Sequence, residues 1–184
     1  GDSAVKKYER KFNGRNTSQL RVSEKEIKEA KSKISREEVT ALQTMSARLS
    51  NSSPKIQIRG SRKFVAIPSV GCYIPGGQAR YPSSVVMSVI PAKIAGVKRI
   101  VIVSPPDRDG KIDPLTIVAA KKCGATEIYK IGGAQAIGAL AYGTKSIPKV
   151  DKIVGPGGKF VSIAKLLVSD QTAIDMVAGP TELG

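Results

Sequence analysis

The sequence predicts a parallel α/β sheet of about five strands with flanking helices, preceded by a helical N-terminal segment. Two patterns carry the expectation. Apolar runs near 70–74, 99–104, 126–131, 151–154 and 173–177 alternate with helix-like stretches at 83–96, 114–123, 134–142 and 159–168. The runs start at 70, 99, 126, 151 and 173, so they are 29, 27, 25 and 22 residues apart, about one strand plus one crossover helix. The second pattern is three glycine turns at run ends: Gly71 to Gly77, Ile131-Gly132-Gly133-Ala134-Gln135, and Val154-Gly155-Pro156-Gly157-Gly158.

Residues 1–54 read as a helical segment. A first helix is expected around Ser3 to Phe12. Two more should start at Ser23-x-x-Glu26 and Ser35-x-x-Glu38, where hydroxyl and carboxylate can satisfy the free amides of a helix start. Asn51-Ser52-Ser53-Pro54 breaks the pattern, and Ile56 and Ile58 in alternation suggest a short half-buried strand. Residues 55–184 then form the α/β domain. Within it, Pro91 should kink the helix that begins near Ser83, Asp113-Pro114 should open a helix, and Gly124 should close it.

Composition narrows the function classes. The chain has 184 residues, 41% of them apolar, and a net charge of +15. That charge is spread along the chain, +9 over residues 1–64 and +6 over 65–184. With 4% aromatics and no nucleic-acid-binding spacing, solvated basic faces explain it better than a nucleic-acid interface. No apolar run reaches the roughly 18 residues that cross a bilayer, and the N-terminus begins no signal peptide, so a soluble cytoplasmic protein is expected. Cys72 and Cys123 are too few for a disulfide framework and read as buried thiols.

In an open parallel sheet, ligands bind beyond the carboxyl ends of the strands, and the glycine turns belong to those loops, together with Ala178 to Glu182. Any one glycine pair is explained by turn geometry; four loops on one edge point to a rim for phosphates or a dinucleotide. Neither G-x-G-x-x-G after a strand nor G-x-x-x-x-G-K-[ST] is present to name the ligand.

Five blocks resemble histidinol dehydrogenase in order and spacing: Val70 to Gly77, Ile90 to Val97, Gly132 to Ile137, Val150 to Gly157, and Ile174 to Pro180. The N-terminal Gly1-Asp2-Ser3-Ala4-Val5 and Lys11-Phe12 are similar to that family's helical N-terminal region. The resemblance implies a Rossmann-like cofactor domain in an NAD-dependent oxidoreductase of histidine biosynthesis. That enzyme oxidises L-histidinol through the aldehyde to L-histidine, in a zinc-containing site of a homodimer. By the same resemblance Tyr73 and Gln135 contact the cofactor.

Gly158 stands where the family has a cofactor-contacting asparagine, so its backbone amide would make the contact. Thr181 stands where the family has a substrate-contacting serine, and it keeps the hydroxyl. The family's zinc ligands and proton-handling glutamate and histidine lie beyond the Ala-Gly-Pro block, and this sequence contains no histidine. Asp107, Asp109 and Asp113 read as a solvated turn, not a cation site. The expectation is therefore a truncated member, inactive alone, with no catalytic residue and no zinc ligand of its own. A non-catalytic NAD- or partner-binding homologue is the alternative, and a basic nucleic-acid-associated protein is a third, disfavoured reading.

Overall fold

The structure is a computed structural model that describes residues 1–14, 19–52, 65–77 and 79–176. Its elements, in chain order, are α1 (Asp2–Asn13), α2 (Glu24–Ser32), α3 (Arg36–Ser52), β1 (Ser69–Tyr73), α4 (Pro82–Ile94) and β2 (Arg99–Ser104). There follow α5 (Pro114–Cys123), β3 (Glu127–Lys130), α6 (Gly133–Tyr142), β4 (Lys152–Val154), α7 (Lys159–Leu167) and β5 (Ala173–Ile174). The strand suggested at Ile56 and Ile58, the boundary at residue 54 and the loop from Ala178 to Glu182 lie outside the described residues.

Local signals place the helix ends. Ser23 and Glu26 form the reciprocal capping box at α2: the Ser23 hydroxyl accepts from the Glu26 N–H at 3.2 Å, and the Glu26 carboxylate accepts from the Ser23 N–H at 2.8 Å. Ser35 and Glu38 do the same at α3, at 3.2 and 2.9 Å. The Asp113 carboxylate accepts from the Thr116 N–H at 2.8 Å to open α5, and Gly124 closes it in the left-handed region at φ +107. Helix α4 starts on Pro82 and runs through Pro91 to Ile94.

All five strands are parallel, in the order β3-β2-β1-β4-β5. That order explains the layering. The crossovers β1 to β2 and β2 to β3 step one way along the sheet, while β3 to β4 returns past β1 and β4 to β5 continues the other way. Because such crossovers are right-handed, reversing the step puts the later helices on the opposite face. Accordingly α4 and α5, joined by α2 and α3, pack with Val70, Cys72, Ile74, Ile100 and Ile102 on one face. Helices α6 and α7, joined by α1, pack with Tyr73, Val101, Val103 and Ile153 on the other. Central strand β1 is buried at all five positions, as a strand covered on both sides must be. Each buried Ile or Val here contributes about 1.5–3 kcal/mol by leaving water.

The N-terminal helices share these layers. Between α1 and α2 the chain also runs along the free edge of β3, where the Val22 N–H donates to the Ile128 carbonyl at 2.9 Å and the Lys130 N–H to the Leu20 carbonyl at 2.7 Å. Lys130 reaches across to Glu26 at 2.8 Å, a half-buried ion pair that ties α2 to the sheet.

Candidate functional site: the rim at the switch point

The sheet order reverses between β1 and β4, so the crevice of an open α/β sheet should lie beyond their carboxyl ends. Tyr73 and Gly155 mark that place. Gly155 has φ +109, and a Cβ there would stand 2.2 Å from the Tyr73 carbonyl oxygen, so only glycine lets the two backbones meet. Close packing also accounts for two of the other turns. A Cβ on Gly76 would come within 2.8 Å of the Ser104 hydroxyl, and one on Gly132 within 2.5 Å of the Pro105 ring.

Tyr73 and Gln135 converge on the start of α6. The Tyr73 ring is buried in the core and its hydroxyl oxygen accepts from the Gly133 N–H at 3.1 Å. Gln135, half-buried in the first turn of α6, donates from Nε2 to Glu9 Oε1 at 2.8 Å. The same Glu9 oxygen accepts from the Gly132 N–H at 3.0 Å. Burial pushes the Tyr73 phenol above its ordinary value; the Gly133 N–H opposes this and the Glu9 charge adds to it. Tyr73 therefore stays protonated at neutral pH, and with its oxygen accepting from Gly133, its hydroxyl hydrogen is left to donate.

Sequence reasoning missed Glu9. It comes from α1, has no exposed surface, and fills the anion position at the α6 start. One signal was available: Glu9 follows Val5 by four residues and so shares the helix face that α1 buries.

Gly158 opens α7 as its N-cap, with φ −68 and no side-chain cap, and a Cβ there would meet nothing within 4 Å among the described residues. The start of α7 has no side-chain cap among the described residues, whereas at the start of α6 the Gly132 and Gly133 N–H groups are taken by Glu9 and Tyr73. Behind the loop, Asp175 and Lys165 hold both polar groups of Gly155. The Gly155 N–H donates to Asp175 Oδ2 at 2.9 Å, Lys165 Nζ donates to the Gly155 carbonyl at 3.1 Å, and Lys165 and Asp175 form an ion pair. Burial raises the Asp175 carboxyl, but the Lys165 ammonium and the Met176 and Gly155 N–H groups outweigh it and leave it below its ordinary value. Lys165 was also missed; it sits in the buried stripe of α7 with Val161 and Ala164.

A groove of about 930 Å³ adjoins this loop, between α4 and the β4–α7 edge, lined by Pro91, Val97, Val154, Gly157 and Met176 among others. Its size suits a small-molecule ligand. Tyr73 and Gln135 do not line it; they stand on the opposite face of the sheet. The structure thus brings Tyr73 and Gln135 together at Gly133 and sets Gly158 apart at the next helix start. Thr181 lies outside the described residues.

The fit to the two groups that the sequence resemblance implies differs. For a dinucleotide, the close Gly155 approach and the α7 start without a side-chain cap suit a phosphate, and Tyr73 and Gln135 offer a donor and an amide at the α6 start. For zinc the residues do not fit, since no histidine is present and no cluster of His, Cys, Asp or Glu with metal-holding geometry occurs among the described residues. Asp107 spends its carboxylate on the N–H groups of Asp109 and Lys111, both at 2.9 Å, and Asp113 caps α5 and pairs with Arg80.

Topology defines a doubly wound α/β protein with its switch point between β1 and β4. The family model for histidinol dehydrogenase matches residues 1–184, and the chain belongs to that family. Among curated relatives, histidinol dehydrogenase of Oceanobacillus iheyensis is 45% identical over 194 residues, covering 100% of this chain and 45% of that protein. Histidinol dehydrogenase of Bacillus cereus is 49% identical over 195 residues, again covering 100% of this chain and 45% of the relative. A crystal structure of histidinol dehydrogenase from Elizabethkingia anophelis superposes with a TM-score of 0.89 at 38% identity, over 98% of this chain and 44% of that one. The chain spans a little under half the length of these relatives.

Proposed function

We propose that this chain forms the cofactor-binding part of an NAD-dependent histidinol dehydrogenase, acting in histidine biosynthesis on L-histidinol. The observation that carries the reading is the family match over the whole chain; the switch point between β1 and β4, the usual ligand position in open α/β sheets, supports it. In this reading the diphosphate takes the uncapped α7 amides at Gly158, while the Tyr73 hydroxyl donates to, and the Gln135 amide contacts, the ribose or nicotinamide. Two NAD molecules, bound one after the other, would each supply an acceptor for one hydride, the first from the carbinol and the second from the hydrated aldehyde, with the protons released to a base. The Thr181 hydroxyl would hydrogen-bond the substrate amine or imidazole.

No histidine occurs in these 184 residues, so neither an imidazole ligand for zinc nor an imidazole base comes from them. That observation favours a second reading, in which the chain binds NAD or a partner without catalysis. Both readings place the protein in the cytoplasm, and among the described residues no helix is long and apolar enough to cross a membrane. The family reading adds a homodimer.

Calorimetric titration with NAD, paired with an assay of NADH formation from L-histidinol, separates the readings. Binding with turnover supports the enzyme, and binding without turnover supports the second reading. Absence of both heat and thermal shift at millimolar NAD ends the cofactor assignment.

A further inference from the structure

Glu9 has no part in the proposed chemistry, yet it is fully buried and reaches from α1 to the Gly132 N–H and the Gln135 amide. A buried carboxyl is retained at a cost unless N–H groups satisfy it. Here one oxygen takes two, Gly132 N–H at 3.0 Å and Gln135 Nε2–H at 2.8 Å. The second contact fixes more than a distance. A side-chain amide has two ends of nearly the same shape, and a carboxylate can only accept, so the NH2 end of Gln135 must face Glu9. Its carbonyl end is thereby turned away from Glu9 and toward the side of Gly133, where a Cβ would come within 2.9 Å of Gln135 Oε1. On that same residue the Tyr73 hydroxyl oxygen accepts the N–H at 3.1 Å.

We infer that Glu9 is a positioning residue that locks Gln135 as a hydrogen-bond acceptor, so that Gln135 and the donating Tyr73 hydroxyl together select a ligand group carrying a donor beside an acceptor. The inference rests on the cofactor-edge reading of this rim. A carboxamide or a vicinal diol has that character and an anionic phosphate has not. Glu9 enforces the choice twice: it orients the amide, and its carboxyl occupies the place at the α6 start where an anion would otherwise sit. Phosphates are left to the start of α7, which has no side-chain cap among the described residues.

Glu9→Met tests this by removing both acceptor oxygens at similar side-chain length, with Glu9→Gln as its control. In Glu9→Met the Gln135 amide has no acceptor to hold its NH2 end, so it can turn either end to the ligand and the lock is lost. In Glu9→Gln one amide oxygen can still take both Gly132 N–H and Gln135 Nε2–H, as one carboxylate oxygen does in the parent. NAD affinity by calorimetry should fall about tenfold in Glu9→Met, the loss of one well-aimed hydrogen bond, and stay within about threefold of the parent in Glu9→Gln. A merely structural Glu9 would lower the melting temperature in Glu9→Met and leave the NAD affinity unchanged.

A cofactor-independent measurement separates the two levels of the inference. The Gln135 side-chain NH2 resonances, assigned by their disappearance in Gln135→Glu, should be shifted from free-amide positions and protected from solvent exchange in the parent protein and in Glu9→Gln, and should move to free-amide positions with fast solvent exchange in Glu9→Met. If the parent fails to bind NAD, the cofactor reading falls while this spectrum still decides the lock. If the parent binds NAD and Glu9→Met changes neither affinity nor the Gln135 resonances, the positioning role is overturned.

Discussion

The carbonyl oxygen of Tyr73 lies 2.2 Å from the point where Gly155 would carry a Cβ, so the end of β1 and the loop after β4 touch backbone to backbone. A methyl group there meets main chain, which cannot swing aside, and an L-residue at φ +109 is strained in any case. Gly155→Ala should therefore destabilise the protein by more than about 2 kcal/mol and weaken NAD binding at the α7 start. Urea unfolding gives the first quantity. A change under about 0.5 kcal/mol would mean that the two backbones do not make this approach.

Gly158 is the opposite case. Its φ of −68 suits any residue and, among the described residues, nothing lies within 4 Å of the added carbon. Asparagine is also a better N-cap than alanine-like residues and slightly better than glycine, by a few tenths of a kcal/mol. Gly158→Asn should thus leave stability unchanged or slightly raised and tighten NAD several-fold by adding a side-chain contact. Unchanged affinity in the calorimeter would remove Gly158 from the cofactor edge.

Much of this was legible in the sequence because local chemistry and topology agree. The capping boxes at Ser23 and Ser35, the Asp113 cap and the Gly124 stop are short-range signals, and the structure keeps each of them. The strand spacing implied parallel crossovers, which give a rim at the carboxyl ends of the strands. What stayed hidden depends on long-range placement. Nothing near Glu9 announces that it will reach the α6 start more than 120 residues away in sequence, since a glutamate in a lysine-rich helix normally faces solvent. Lys165 likewise looks like a surface residue until Asp175 and the Gly155 carbonyl come beneath it. The pairing of Leu20 and Val22 with β3 shows only as a brief apolar alternation.

Both thiols should be silent in the native protein. Burial pushes the Cys72 thiol up to about 12, with a contribution from the nearby Asp175 charge. Burial also raises Cys123, against smaller opposing effects of the Ser46 hydroxyl and Lys93. At pH 7.5 fewer than about one Cys72 in 10,000 is thiolate, the form that reacts. Ellman's reagent should find no thiol within minutes under native conditions and two after unfolding in guanidinium. Rapid native reaction of one thiol would reveal local opening of β1 or of the α5 end.

Acid should unfold this protein through three partly buried ion pairs. At Asp175, Glu26 and Glu127 burial pushes the carboxyl up, but Lys165, Lys130 and Arg99 respectively outweigh it, and each group ends below its ordinary value of 3.8 or 4.5. A carboxyl with a lowered native pKa stabilises the fold above its unfolded value and loses that contribution as pH falls through the native one, because the unfolded chain binds the proton first. Stability should therefore be flat from pH 7 to about 5.5 and fall steadily below about 4.5, read as the urea midpoint against pH. Asp175→Asn should reduce the acid slope, and at pH 7 it should cost roughly 3 kcal/mol because the buried Lys165 ammonium loses its counter-charge. Adding Lys165→Met should recover most of that loss, since the introduced amide oxygen can still accept the Gly155 N–H. If Asp175→Asn leaves both the slope and the neutral stability unchanged, the ion pair beneath Gly155 contributes nothing to holding the rim.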